Sequence, residues 1–233
     1  MTTISTAMVL AAGLGTRIRS LAPDTPKPLV RVAGHPLIDY AFGTLKQGGV
    51  RRAVVNVHHR AEQVEAHLAG VEGLEIAISD ERAQLLETGG GIVNALPLLG
   101  DAPFFCTNTD AILLGGSVPA AEALRAGWSD DCDALLLLVP REAATGYAGE
   151  GDFALAADGR VLDPEAGEAL VFTGLQILRP GLFAGAAVEP VSTRVFWAKA
   201  RAADRMRGVV FDGSWMHVGD PAGHREAEAR LAG

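Results

Sequence analysis

The chain has 233 residues, 48% of them hydrophobic, which suits one large α/β domain or two small ones with a sizeable core. Its net charge of −8, from 20 Lys and Arg against 28 Asp and Glu, argues against a nucleic-acid surface, because a polyanion is held by a concentrated basic patch and none stands in the sequence. Cys106 and Cys132 lack Cys-x-x-Cys spacing and read as reduced structural thiols; the start MTTISTAMVL has neither a basic segment nor an apolar run long enough for a signal peptide or membrane span, so a cytoplasmic protein is expected.

Residues 7–10 form a short apolar run that reads as a buried strand. Gly13 and Gly15 follow directly and allow a tight turn with bare backbone N–H groups. A helical run over 16–21 is expected to aim its N-terminus at that turn and complete an anion cradle. Two familiar phosphate loops do not fit. The P-loop needs four residues between its glycines and then Gly-Lys-Ser/Thr, and the dinucleotide pattern G-x-G-x-x-G fails at its third glycine, where Ile18 stands. What remains is Arg17 and, between Pro26 and Pro28, Lys27. The two prolines stiffen the segment, so ordering this lysine around a phosphate costs little.

Further along, 36–46 carries a helical apolar stripe ended by Gly48-Gly49, 53–57 reads as a strand, 61–68 as a helix and 74–79 as a strand. A helix interrupted by Pro97 is expected over 92–99, and a strand over 104–107. Before that helix stands Glu87-Thr88-Gly89-Gly90-Gly91, whose three glycines are expected to leave backbone bare for a flat ligand. Asp110, just past the strand, offers hard carboxylate oxygens to Mg²⁺. Strands alternating with helices imply a parallel, doubly covered sheet with ligands at the carboxyl ends of its strands, which gathers Gly13, the Glu87 loop and Asp110 on one edge.

The second half reads as a mixed extension of the same sheet. A helix over 118–126, a strand over 134–139 and a hairpin of 153–156 with 161–162 around Asp158-Gly159 come first. A strand over 171–178, a helix over 193–206 behind a Ser192 cap, and a closing helix over 221–231 behind Asp220-Pro221 follow. His58, His59 and Arg60 read as surface residues, His35 before Pro36 as a helix-capping or surface residue, and Trp128, Trp197 and Trp215 as packing. No linker, repeat or low-complexity run divides the chain, so a single domain is expected.

The run VLAAGLGTRIRSLAPDTPKPL at 9–29 resembles sugar-1-phosphate nucleotidyltransferases, most of all the bacterial N-acetylmuramate-1-phosphate uridylyltransferases. The resemblance continues through LETGGGIVNALPLLGDAPF at 86–104, NTD at 108–110, GEGDFAL at 149–155, FTGLQIL at 172–178 and WMHVGD at 215–220. It implies a Rossmann-like doubly wound mixed sheet of the nucleotide-diphospho-sugar transferase type, with residues 1–130 or so as the nucleotide-binding half and the rest as the sugar-phosphate half. It implies nucleotide contacts from Leu10, Ala11, Ala12, Gly13, Gly15, Thr16, Arg17, Lys27, Glu87, Thr88, Gly89 and Asn108, and sugar contacts from Asp152, Thr173 and Gly174. Arg17, Lys27 and Asp110 would carry the chemistry.

A sugar 1-phosphate is already a nucleophile at neutral pH, so its attack on the α-phosphorus of a nucleoside triphosphate needs alignment and charge neutralisation rather than a general base. UTP and N-acetylmuramate 1-phosphate are the implied partners, acting on a monomer or small homo-oligomer. A mannose-1-phosphate guanylyltransferase, a related hexose or heptose enzyme, or a non-catalytic nucleotide-sugar sensor stay open. One departure stands out. The family pattern W-x-D-x-G-T carries a second metal-binding aspartate where this chain has His217, so the metal is expected chiefly on Asp110 and the substrate phosphates, with His217 beside it as a weak ligand or as a hydrogen-bond donor to the ligands, and with Mn²⁺ favoured relative to Mg²⁺. Asp220 and Asp212 are read as a helix cap and a turn residue instead.

Overall fold

The structure, a computed structural model, describes residues 4–232; the first three residues of the start read for a leader lie outside them. β1 (Thr6–Leu10) leads into the glycine loop, a small ribbon of β2 (Arg31–Val32) and β3 (His35–Pro36), and α1 (Leu37–Gln47). β4 (Arg52–Val57), α2 (Ala61–Leu68), β5 (Glu75–Asp80), α3 (Glu87–Leu99) and β6 (Phe104–Asn108) keep the alternation expected from the sequence. Then come β7 (Ala111–Leu114), α4 (Ala120–Ala126), β8 (Ala134–Pro140), β9 (Ala144–Thr145), the hairpin β10 (Ala154–Leu155) and β11 (Val161–Leu162), and β12 (Leu170–Leu178). α5 (Thr193–Ala202), β13 (Met206–Val210), β14 (Ser214–His217) and α6 (Pro221–Leu231) close the chain.

Seven strands form the main sheet in the order β13-β8-β12-β6-β1-β4-β5. β1 pairs in parallel with β4 on one side and β6 on the other, while β12 runs antiparallel between β6 and β8. The doubly wound mixed sheet expected from the sequence is therefore present, and strands from both halves of the chain share it. Side chains alternate across each strand, so Val9 enters one core with α1, α2 and α4, and Met8 enters the other with α3 and α5. A third cluster, Ile18, Val30, Val32, Leu37, Ile112, Met216, Val218 and Ala227, anchors the glycine loop and α6 against β7 and β14. Among the described residues no helix is long and apolar enough to cross a membrane.

Four local expectations change. Residues 16–21 form successive turns, with Ile18 N–H bonded to Gly15 O and Leu21 N–H to Ile18 O, because only Ile18 of the run is buried and Leu14 and Leu21 face solvent. The run therefore supplies no helix N-terminus to the glycine turn. α3 starts at Glu87, takes all three glycines into its first turns and carries Pro97 in its last turn without breaking. α5 stops at Ala202, since Asp204 turns left-handed at φ 54 and Met206–Val210 leaves to pair with β8. β7 and β14 were not anticipated, and with β9 they make a separate small sheet beside Asp110.

Candidate active site

The order of the main sheet reverses at β1, whose two parallel neighbours lie on either side of it, and Leu10 and Asn108 end up opposite one another at the carboxyl ends of β1 and β6. In open α/β sheets such a switch point opens a crevice for ligands. Here it opens a cleft of about 400 Å³ walled by Leu10, Ala11, Ala12, Gly13, Lys27, Glu87, Thr88, Asn108 and Asp110. A second cleft of about 600 Å³ adjoins it and shares Leu10, Thr88, Asn108 and Ser192. Its further walls include Asp152, Phe153, Phe172 and Trp197.

The floor of the first cleft is an ion pair. Lys27 begins a single 3-10 turn, Lys27–Leu29, after Pro26 at φ −64 and ψ 145, and its Nζ lies 2.6 Å from Asp110 Oδ2. Gly15 permits this arrangement. It sits at φ 58, and a Cβ there would lie 2.7 Å from Lys27 Cβ, so the loop can lie against the lysine stem only with glycine at that position. His217 Nε2 faces the same Asp110 oxygen at 3.4 Å, because β14 pairs with β7 to set His217 opposite Ala111 and the Val218 N–H bonds Asp110 O. The imidazole is stacked on the Trp215 ring at an interplanar angle of 9°. Burial alone would raise the Asp110 pKa, but hydrogen bonding from His217 and the charge of Lys27 outweigh it and hold the carboxyl well below the usual carboxylate range.

Behind the cleft lies a buried network that the sequence reading missed. Asn56 Oδ1 accepts from the N–H groups of Ala11 at 2.7 Å and Ala12 at 3.3 Å, and its Nδ2 donates to Glu81 Oε1 at 2.7 Å. Glu81 Oε2 accepts the Leu86 N–H at 3.2 Å, at the entry of α3. The loop after β1 and the start of α3 are thus tied through two side chains, each 2% exposed. Burial pushes the Glu81 carboxyl up, partly offset by its bonds to Asn56 and Leu86. The only trace of this in the sequence is a polar residue inside the apolar strand run AVVNV.

The glycines of α3 serve this packing rather than a ligand. A Cβ at Gly89 would meet Phe196 and Val191 O, one at Gly90 would meet Glu189 O, and one at Gly91 would lie 2.7 Å from Glu81 Oε1. The Gly89 N–H is also taken, by Val191 O at 2.8 Å. That corrects the expectation that these glycines leave backbone bare, and of the run 87–91 only Glu87, at φ 58, and Thr88 face the cleft.

The other expected residues divide. Leu10, Ala11, Ala12, Gly13, Lys27, Asn108 and Asp110 are brought together, whereas Thr16 and Arg17 are exposed on the loop beyond the cleft. Asp152 lines the second cleft and accepts the Phe172 N–H at 2.9 Å. Thr173 is fully buried, its hydroxyl donating to Leu137 O and accepting from Leu175 N, so it stabilises the bulge in β12 instead of reaching a sugar. Gly174, at φ 88, makes room for Asn108. Asp220 Oδ1 caps α6 through Ala222 N and Gly223 N, as read from the sequence, whereas the Asp212 carboxylate, read as serving its own turn, accepts the distant Ser117 N–H. Both cysteines are free and buried, and burial pushes the Cys106 thiol up to about 12. Among the described residues no group of three or more His, Cys, Asp or Glu is placed to hold a metal ion.

Residues 6–232 match the family described as Nucleotidyl transferase. The chain is 47% identical to an N-acetylmuramate alpha-1-phosphate uridylyltransferase of Caulobacter vibrioides, over 97% of this chain and 96% of the relative. It is 38% identical to one of Neisseria meningitidis serogroup B, over 97% and 98% respectively. In fold it resembles the inositol-1-phosphate CTP transferase from T. maritima, with a TM-score of 0.78 at 20% identity, covering 99% of this chain and 97% of that one.

Proposed function

The chain belongs to the nucleotidyl transferase family, and from that premise we propose that it joins UTP to N-acetylmuramate 1-phosphate, releasing UDP-N-acetylmuramate and pyrophosphate. The observation that carries the reading is the Lys27–Asp110 pair in the first of two adjoining clefts, in a chain 47% identical over nearly its whole length to a relative of that name. The first cleft takes the nucleotide and the second the sugar, with Thr88 and Asn108 between them.

An oxygen of the sugar 1-phosphate attacks the α-phosphorus in line, the bond to the β-phosphate oxygen breaks, and pyrophosphate leaves. The attacking group is already anionic, so no side chain needs to take a proton. Lys27 turns its ammonium from Asp110 towards the α-phosphate and the incoming phosphate, where one preorganised cation counters the charge that develops. The backbone after β1, fixed by Asn56, lines the phosphate path without having to reorganise, and Arg17 swings in from the loop to the leaving pyrophosphate.

The donor set fits a divalent cation that draws most of its ligands from phosphate oxygens and water: Asp110 offers an ionised carboxylate and His217 Nε2 stands beside it. Asp110 would hold the cation with His217 as a weak nitrogen ligand, which makes Mn²⁺ at least as effective as Mg²⁺. Such a cation supplies neutralisation of the phosphate oxygens.

Pyrophosphate release from each nucleoside triphosphate with N-acetylmuramate, N-acetylglucosamine, mannose and glucose 1-phosphates tests the assignment. UTP with N-acetylmuramate 1-phosphate is expected to be fastest; GTP with mannose 1-phosphate outperforming it overturns the reading.

A further inference from the structure

The second cleft holds a cation that the chemistry above leaves unused. Arg194 stands in the first turn of α5 and lines the cleft, and among the described residues its guanidinium has no hydrogen-bond or ion-pair partner. Arg201, two turns further along the same helix, also lines the cleft but is paired with Asp163 at 2.9 Å. A cation in the first turn opposes the helix dipole, so Arg194 is not there to stabilise α5.

Beside it is a second, independent sign of a missing ligand. Thr193 is only 4% exposed, and its Oγ1 is buried without a hydrogen-bond partner, although its backbone N–H is bonded to Thr88 Oγ1 at 2.9 Å. A buried hydroxyl left unpaired is destabilising, and a ligand that accepts its proton removes the penalty. Thr193 lines the same cleft as Arg194. Ser192 Oγ accepts the Arg194 N–H and keeps its own O–H to give, while the Asp152 carboxylate accepts the Phe172 N–H. The unpaired donors in this corner are therefore the Thr193 hydroxyl, the Ser192 O–H and, carrying the charge, the Arg194 guanidinium, at the positive end of a helix, and together they suit a carboxylate.

The phosphates have their own cation, Lys27, in the first cleft. An anion at the start of α5 belongs to another part of the substrate. On the reading given under Proposed function, that part is defined by chemistry: N-acetylmuramate is N-acetylglucosamine with a lactyl ether on O3, and the lactyl carboxylate is ionised at neutral pH. We infer that Thr193 and Arg194 bind this carboxylate, and that Arg194 is the residue by which the enzyme prefers the acidic sugar phosphate to its neutral counterpart.

The test compares the parent, Arg194→Ala, Arg194→Lys and Thr193→Val. Each is measured for KM and kcat with UTP and N-acetylmuramate 1-phosphate, and for inhibition by N-acetylglucosamine 1-phosphate as competitor, which does not require turnover of the neutral sugar. Arg194→Ala should raise KM for the acidic sugar about tenfold or more, as loss of a hydrogen bond to a charged group does, and leave kcat and the inhibition constant of the neutral sugar within about twofold. Arg194→Lys should recover part of the loss, and Thr193→Val should show a smaller effect of the same selectivity. Equal weakening of both sugars places Arg194 on the shared phosphate and overturns the inference, as does no effect on either. A parent that does not use N-acetylmuramate 1-phosphate overturns the assigned function itself, and is told apart from these by needing no variant.

Discussion

Lys27→Met should be damaging in two separable ways. The lysine and Asp110 are 14% and 18% exposed and 2.6 Å apart, so the pair lies between a fully buried one, whose disruption costs about 3–5 kcal/mol, and a surface pair worth about 0–1 kcal/mol. His217, 3.4 Å from the same oxygen, stays to share the stranded charge, which puts the expected loss at about 1–3 kcal/mol. For a chain of 233 residues each kcal/mol moves Tm by about 2–4 °C, so the melting point should fall by about 2–12 °C. Turnover should fall by about 10²-fold or more, the usual result of removing a preorganised charge donor. Thermal melts of Lys27→Met, Asp110→Ala and the double variant separate the two effects. The pair predicts a coupling of about 1–2 kcal/mol, with the double variant less destabilised than the sum of the singles. Strict additivity would show that the ion pair contributes nothing to stability, and pyrophosphate release within about twofold of the parent would remove Lys27 from the phosphate path.

Glu81 gives a pH signature. Its pKa is raised on folding, so its contribution to stability is complete below the unfolded value of about 4.3 and is lost as pH rises through the folded value. Glu81→Gln cannot ionise, so its Tm should gain on that of the parent between pH 4 and 7; a gap independent of pH would mean that Glu81 keeps one protonation state on folding. His217→Asp adds a carboxylate beside Asp110 and should lower the Mg²⁺ concentration needed for half-maximal pyrophosphate release, as well as any advantage of Mn²⁺. An unchanged or higher Mg²⁺ requirement would place His217 outside the metal site.

Much of the fold was legible because local pattern and burial agree. The strand-helix alternation through Asn108, the Asp158-Gly159 hairpin and the Asp220-Pro221 cap each depend on a few adjacent residues, and each is in place. What escaped were contacts between distant segments. β7 and β14 are four residues each, too short for a period to declare itself, and they pair with one another across about a hundred residues, with the two-residue β9 on the far side of β14. The closeness of His217 to Asp110 depends on that pairing. The run over 16–21 looked helical by composition, yet with only Ile18 buried it has no apolar face to stabilise a short helix, and such helices are marginal without one.

The glycines show why residue type alone could not settle the site. Gly15 and the three glycines of α3 look alike in sequence, and both groups adjoin residues that line the first cleft. Gly15 has a left-handed φ and a lysine stem against its open face, so it shapes the loop from which Lys27 acts. Gly89, Gly90 and Gly91 have ordinary helical backbone; they are needed because the 189–192 segment, Phe196, Glu81 and Asn56 press against α3 where a Cβ would stand. Their effect on the site is indirect but specific. By letting α3 close onto Glu81 and Asn56 on one side and onto the start of α5 on the other, they bring Thr88 within reach of the Thr193 N–H and so fix the boundary between the two clefts. A run of small residues read as ligand-facing is here the close packing between the two clefts, and it is Glu87 and Thr88 before it that line them.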